Sequence, residues 1–403
     1  MKIKLNTPFV YAMLLLLSGC TFLSGETAPA DKGDAAMVAA LAERLASGTA
    51  EGLLFFSTPE RRVAFKSIDQ LYPTRTIEAS ATPLVLDENP MDLSGLTYTV
   101  DDKTFTLADF VAMPSAMGLI VVKDGDIVFE HYGAGNDQST RWISFSVTKS
   151  VTSMLLGAAL VDGYIESVDE PVSHYLPRLR GTPYEDATIE NVLHMASGVA
   201  WNEDYADPES DVANAGGANG LELVRYLAQL SRESEPGKTF NYNTGETNLV
   251  GEILRAAIGN NATVYLAHKI WQPFGMESDA TWLLGGPAGG ETGGCCISAT
   301  LRDYARIGLF AMNNGKLADG TQVLPADWMA RSTRPSEGYE NYGYLWWLYD
   351  QGSYAALGIF EQQIYVDPAA QLVIAAHGNA PTATGSDYGK HIEAVTQAIR
   401  KAL

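Results

Sequence analysis

A chain of 403 residues is long enough to bury a large core in one or two domains, and its composition, 46% hydrophobic and 19% charged, is that of a globular protein rather than a disordered or fibrous one. Its 48 Asp and Glu outweigh 27 Lys and Arg, giving a formal net charge of −21 that is spread along the chain rather than gathered in one block. That balance argues against nucleic acid and against anionic membrane surfaces as partners, and favours solubility.

The N-terminus reads as a targeting segment. Lys2 and Lys4 form a positive region, Phe9 to Leu17 supply an apolar run, and Leu17-Ser18-Gly19-Cys20 follows. The run is too short for a comfortable transmembrane helix. Small residues ahead of a cysteine resemble the lipobox of bacterial lipoproteins, which implies removal of residues 1–19 as a signal peptide and a lipid on Cys20. Thr21 after the cysteine, rather than Asp, hints at the outer membrane. The expected location is therefore the bacterial cell envelope, facing the periplasm, with the lipid as the only membrane contact. A plain signal peptide with an incidental cysteine is the other reading. Residues 20–51 read as a tether: Thr21–Asp34 is rich in Gly, Ala, Thr and Ser with scattered charge, and Ala36–Ser47 is a short helix. The fold proper is expected over 52–403.

Ile120–Tyr132 is a hairpin signal, two β-rich runs joined by Asp124-Gly125. Arg141–Val161 follows, apolar from Val151 onward on nearly every side, and such a helix belongs inside a protein. From about 150 to 290 the signals are helical: Thr188–Met195, Leu221–Leu230, Glu246–Ile258 and Thr263–Trp271 show apolar spacing of three and four. Leu301–Met312 is another helix, stopped by Asn313-Asn314-Gly315. Then β signals return at Tyr342–Leu348, Ser353–Gly358, Gln363–Val366 and Leu372–His377, and Tyr388–Leu403 closes the chain as a helix. Strands from both ends with helices between imply a three-layer α/β (α+β) fold: an antiparallel sheet flanked by helices, plus a helical region, with a cleft between them. Adjacent cysteines rarely pair, so Cys295 and Cys296 are expected as small buried side chains. No cysteine or histidine spacing suggests a metal, and no cofactor is expected.

The buried helix carries Ser146-Val147-Thr148-Lys149 at its start, an S-x-x-K in which hydroxyl and amine share one face. Burial disfavours the ammonium form of Lys149, and the helix N-terminus favours an anion at Ser146. A neutral lysine can take a serine proton, as histidine does elsewhere. Alone the tetrad is weak, because a chain this long holds one by chance and an ordinary polar first turn explains it. A partner lies at Phe240-Asn241-Tyr242-Asn243-Thr244, just before a helix, where the Tyr242 phenol can hold or relay a leaving-group proton. By itself Tyr242 reads as a packed tyrosine.

Together these residues resemble the serine β-lactamase and penicillin-recognising superfamily, on the branch of class C enzymes, family VIII esterases and D-aminopeptidases, from about residue 55 onward. Within it the likeness is to the 6-aminohexanoate-dimer hydrolases. It rests on Arg61-Arg-Val-Ala-Phe65, Ser146-Val-Thr-Lys-Ser150, Asn202-Glu-Asp-Tyr-Ala-Asp-Pro208, Phe240–Asn248, and Gly358-Ile359 with Tyr365-Val-Asp-Pro368. The resemblance implies Ser146 as nucleophile, Lys149 as base, Tyr242 as proton relay, an oxyanion hole from the backbone N–H groups of Ser146 and Ile359, and Tyr205 as a substrate contact. It implies a metal-free serine hydrolase forming an acyl-enzyme on a small-molecule ester or linear amide. A β-lactamase or DD-peptidase and a catalytically inactive ligand-binding lipoprotein are the rivals. The chain departs from the pattern at Thr244, where many relatives have Asn. It departs again at Phe360-Glu361-Gln362, where penicillin-recognising enzymes carry Lys-Thr-Gly, so an anion replaces a cation that grips carboxylates.

Overall fold

A computed structural model of the chain describes residues 32–49 and 52–403, so Cys20 and the segment ahead of it lie outside the described residues. Twelve strands are seen among them: β1 (Thr74–Ile77), β2 (Thr97–Val100), β3 (Lys103–Thr106), β4 (Ala116–Lys123), β5 (Asp126–Tyr132), β6 (Trp142–Ile143), β7 (Ala280–Leu283), β8 (Ile297–Ala299), β9 (Trp347–Leu348), β10 (Tyr354–Gly358), β11 (Gln362–Asp367) and β12 (Leu372–Gly378).

The main sheet runs β5-β4-β12-β11-β10-β9 with every pair antiparallel, so it is built from both halves of the chain as expected. The β4–β5 turn places Asp124 and Gly125 at φ 53° and 94°, the left-handed pair that a two-residue hairpin needs. Side chains alternate between two cores, as the period of two requires. Ile120, Val122, Ile364, Val373 and Ala375 pack with the helices Val147–Val161 and Leu301–Met312, whereas Leu119, Val121, Tyr365, Ile374 and Ala376 pack with the C-terminal helix Asp387–Ala402. Each face is covered, which makes the three layers.

The helical region expected between the strands is present as Ile189–Leu193, Gly220–Leu227, Thr244–Ile258 and Ala262–Leu266, the last continuing through a π-turn. A second sheet, β1-β7-β8-β6, and a small β2–β3 hairpin complete the strands. Residues 32–46 form a helix whose Leu41 is buried in a third core with Phe56, Phe65, Phe145, Ile359 and Phe360. That core lies directly beneath the cleft, because Phe145 and Ile359 flank the candidate site. Among the described residues no helix is long and apolar enough to cross a membrane.

Candidate active site

Ser146 sits just ahead of the helix Val147–Val161, whose residues are buried through Ala159. Phe145 before it is held at φ 45°, a left-handed backbone that a side chain this large rarely adopts, and that turn re-aims the chain into the helix. Lys149 follows one turn later at 1% exposure. Its Nζ donates to Thr244 Oγ1 (2.9 Å) and the Gly294 carbonyl (3.0 Å) and lies 5.5 Å from the centre of the Tyr242 ring. A Cβ at Gly294 would come within 3.0 Å of that nitrogen, so glycine is what lets the backbone reach it. Burial pulls the Lys149 pKa down to about 8, partly offset by the Glu203 carboxylate, which favours the ammonium. The amine therefore exchanges its proton near neutral pH while remaining fixed by two acceptors.

Tyr242 and Ser146 border the same cavity, and the tyrosine ring stacks on Trp347 at 5.6 Å and meets Tyr342 edge-on at 5.8 Å. Burial, reinforced by Glu203, pushes its phenol well above the usual range, so it is protonated at neutral pH. On the opposite side, β10 ends at Gly358. A Cβ there would run into the Ser144 carbonyl oxygen and lie 3.2 Å from the Ser146 amide nitrogen. The missing side chain thus brings the Ile359 and Ser146 backbones together, and neither N–H donates to another backbone carbonyl among the described residues. Two backbone amides without a backbone acceptor on the border of one cavity are groups that can receive an oxyanion.

Tyr205 lies against both halves of the cleft and donates its hydroxyl to Glu203 Oε1 at 2.6 Å. Glu203 is the residue the sequence reading missed. Its carboxylate also accepts from the Thr244 amide (2.9 Å), from the Thr244 hydroxyl and from the Trp201 indole. A continuous chain therefore runs from Lys149 through Thr244 to Glu203 and Tyr205. The Thr244 departure keeps the hydrogen bond to the lysine with a shorter side chain. The signal for Glu203 was its place two residues before Tyr205 in the Asn-Glu-Asp-Tyr run.

Glu361 takes φ 69°, with Phe360 at 60°, in the turn between β10 and β11. Its carboxylate accepts from the Ser386 hydroxyl at 3.2 Å, and burial raises its pKa. The two cysteines expected as unpaired small side chains are instead joined as a vicinal disulfide, Cys295–Cys296. Cys296 is fully buried, and Cys295 borders the cleft.

The chain and its fold are similar to those of known proteins. A 6-aminohexanoate-dimer hydrolase from Paenarthrobacter ureafaciens is 26% identical over 340 residues, covering 78% of this chain and 84% of that protein. A Bacillus anthracis structure provisionally named a 6-aminohexanoate-dimer hydrolase superposes with a TM-score of 0.74 at 21% identity, over 85% of this chain and 95% of its own. A penicillin-binding protein from Bacillus halodurans shares the fold with a TM-score of 0.56 at 18% identity, over 72% and 97%. The β-lactamase family profile matches residues 106–396, most of the described chain and every candidate residue named above except Cys20, so the chain belongs to the β-lactamase family of serine-type hydrolases.

Proposed function

We propose that the protein is a serine hydrolase that cleaves an ester or a small linear amide through an acyl-enzyme on Ser146. The observation that carries this reading is the juxtaposition at Ser146: a buried amine one helical turn away, with a pKa near 8, and the Ile359 amide brought alongside by Gly358. Neutral Lys149 takes the Ser146 proton as Oγ attacks the carbonyl carbon, and the oxyanion is received by the amides of Ser146 and Ile359. As the C–O or C–N bond breaks, the proton returns from Lys149 through the Tyr242 hydroxyl to the leaving group. Water then hydrolyses the Ser146 ester by the same route. Tyr242 serves as a donor rather than as the base because its pKa is raised, not lowered. No Lys or Arg is among the described residues that border the cavity beside Tyr242 and Glu361, so a β-lactam or D-Ala-D-Ala carboxylate would find no cation there, which weighs against those substrates. A panel of p-nitrophenyl esters, linear amides and a chromogenic cephalosporin tests this: esters and amides are expected to turn over and the cephalosporin is not. Preferential cephalosporin hydrolysis would favour the β-lactamase reading, and no turnover with no labelling by a fluorophosphonate would favour an inactive binding protein.

Tyr205 is expected to separate amide from ester turnover. Its hydroxyl proton is committed to Glu203, which leaves its oxygen free to accept from the scissile N–H. That bond strengthens as the departing nitrogen takes up its proton and gains positive charge, and an ester has no such N–H. One neutral hydrogen bond made in the transition state is worth roughly 1–3 kcal/mol, about 5- to 150-fold in rate. Tyr205→Phe should slow kcat on an uncharged linear amide by about that factor and leave p-nitrophenyl ester turnover within about twofold. Equal losses on both substrates would show that Tyr205 merely packs at the cleft mouth.

Cys20 is proposed to carry the lipid that holds the protein in the outer membrane facing the periplasm. Expressed in a Gram-negative host, the wild type is expected to partition with membranes and incorporate labelled palmitate, and Cys20→Ser to do neither. Wild-type protein without label would refute the assignment.

A further inference from the structure

Two cavities meet at Ser146, Tyr205 and Ile359. One, of about 330 Å³, is bordered by Tyr242, Trp347 and Glu361. The other, of about 240 Å³, does not touch Tyr242 and is walled by Leu53, Leu54, Phe55, Phe145, Val212 and Leu283. If Tyr242 returns the proton to the leaving group, the leaving group lies in the first cavity, and the acyl chain is left with the second. This assignment rests on the reading of the site proposed above.

We infer that the second cavity selects an uncharged apolar acyl chain, and that the turn Leu53–Phe55 sets this selectivity. Among the described residues that line it, Lys149 is the one charged side chain, and its Nζ already donates to Thr244 and Gly294. An ammonium at the end of the acyl chain finds no carboxylate there, and burying it unpaired is unfavourable. A terminal carboxylate has only Lys149 to pair with, and such a pair would hold the base in its protonated form.

The wall is built into the fold. Leu53–Phe55 lies outside the span matched by the family profile, and Arg61 ties the residue that follows it, Phe56, to the loop after β12 and to Phe360 in the β10–β11 turn. That buried guanidinium donates to the carbonyls of Phe56 (2.6 Å), Ala380 and Pro381 (2.9 Å each), and it sits 4.4 Å above the ring of Phe360, next to Ile359. Leu53 and Leu54 also pack against the core that contains Phe145 and Ile359. The turn is thus held in register with Ser146 rather than draped over the cleft.

The test is a series of p-nitrophenyl esters on the full chain, from acetate to octanoate, with heptanoate set against 6-aminohexanoate. That last pair matches in length and differs in the terminal group. Each buried methylene favours the transition state by up to about fourfold. The specificity constant is therefore expected to climb at least about 10-fold from acetate to hexanoate, and to favour heptanoate over 6-aminohexanoate by about 10-fold or more. Leu54→Asp should lower the hexanoate-to-acetate ratio about 10-fold and narrow the gap between heptanoate and 6-aminohexanoate. Leu54→Ala should lower the ratio about threefold, with its thermal midpoint reporting that the fold is kept. A flat chain-length profile with acetate still turned over at Ser146, or a preference for 6-aminohexanoate, overturns the assignment of this cavity and leaves the proposed reaction standing. Absence of any ester turnover and of any fluorophosphonate adduct overturns both.

Discussion

Ser146→Ala is expected to abolish p-nitrophenyl acetate hydrolysis. The substitution removes one oxygen from a residue that is 9% exposed and leaves the helix start and the amides in place, so loss of turnover reports chemistry rather than folding. When nucleophile and base act as one unit, removing the nucleophile costs several orders of magnitude, and the residue of rate above water comes from the oxyanion donors and binding alone. A fall of roughly 10³-fold or more in kcat is the expected result. The measurement is initial-rate kinetics on purified wild type and variant, with circular dichroism to confirm that the two are equally folded. Retention of more than about a tenth of wild-type kcat would place the nucleophile elsewhere.

The second large effect is at Lys149, and it carries a pH signature. Lys149→Ala should come close to the Ser146→Ala loss, because without the amine no buried group beside Ser146 takes its proton. In the wild type the amine must be neutral to act. Its pKa is held at about 8, so kcat/KM is expected to rise about tenfold per pH unit on the acid side and to level above about 8. Glu203 stabilises the ammonium, and Glu203→Gln removes that stabilisation, so the limb should move to lower pH. The sign is diagnostic. If Glu203 merely packed the loop, the variant would lower the plateau without moving the limb. If Tyr242 were the base, its raised pKa would place the limb far above 8.

The parts of this structure that were legible in the sequence are those governed by one periodicity. The β4–β5 hairpin declared itself through Asp124-Gly125 and period-two runs, and Val147–Val161 through a continuous apolar surface. Leu301–Met312 matched its expected ends because Thr300 caps one, accepting from the Asp303 amide, and Gly315 lies just beyond the other at φ 67°. The second sheet was missed because β6 and β8 have two and three residues, too few for a pattern. Tyr342–Leu348 was read as a strand, but Trp347–Leu348 alone is one. Its aromatics are there to pack: Tyr342 and Trp347 both contact the Tyr242 ring, so burial rather than pairing accounts for the composition.

The candidate site divides in the same way. Ser146, Lys149 and Tyr242 were found because local motifs place them, and the fold brings all three together at one point. Glu203 and the Leu53–Phe55 wall were not found, since their roles arise from tertiary approach. Glu203 reads as one acidic loop residue among several until Thr244 is seen to link it to Lys149. Leu53–Phe55 reads as an unremarked start of the fold until Arg61 is seen to tie down the residue that follows it.

The central claim is a covalent acyl group on Ser146, and intact-protein mass spectrometry tests it most directly. The full chain is mixed with a p-nitrophenyl ester, quenched in acid within the first turnovers and digested to locate any added mass. The account predicts an acyl adduct on the peptide carrying Ser146, lost on longer incubation and absent from Ser146→Ala. An adduct on another residue, or rapid turnover with no adduct at any quench time and no fluorophosphonate label on Ser146, would contradict it.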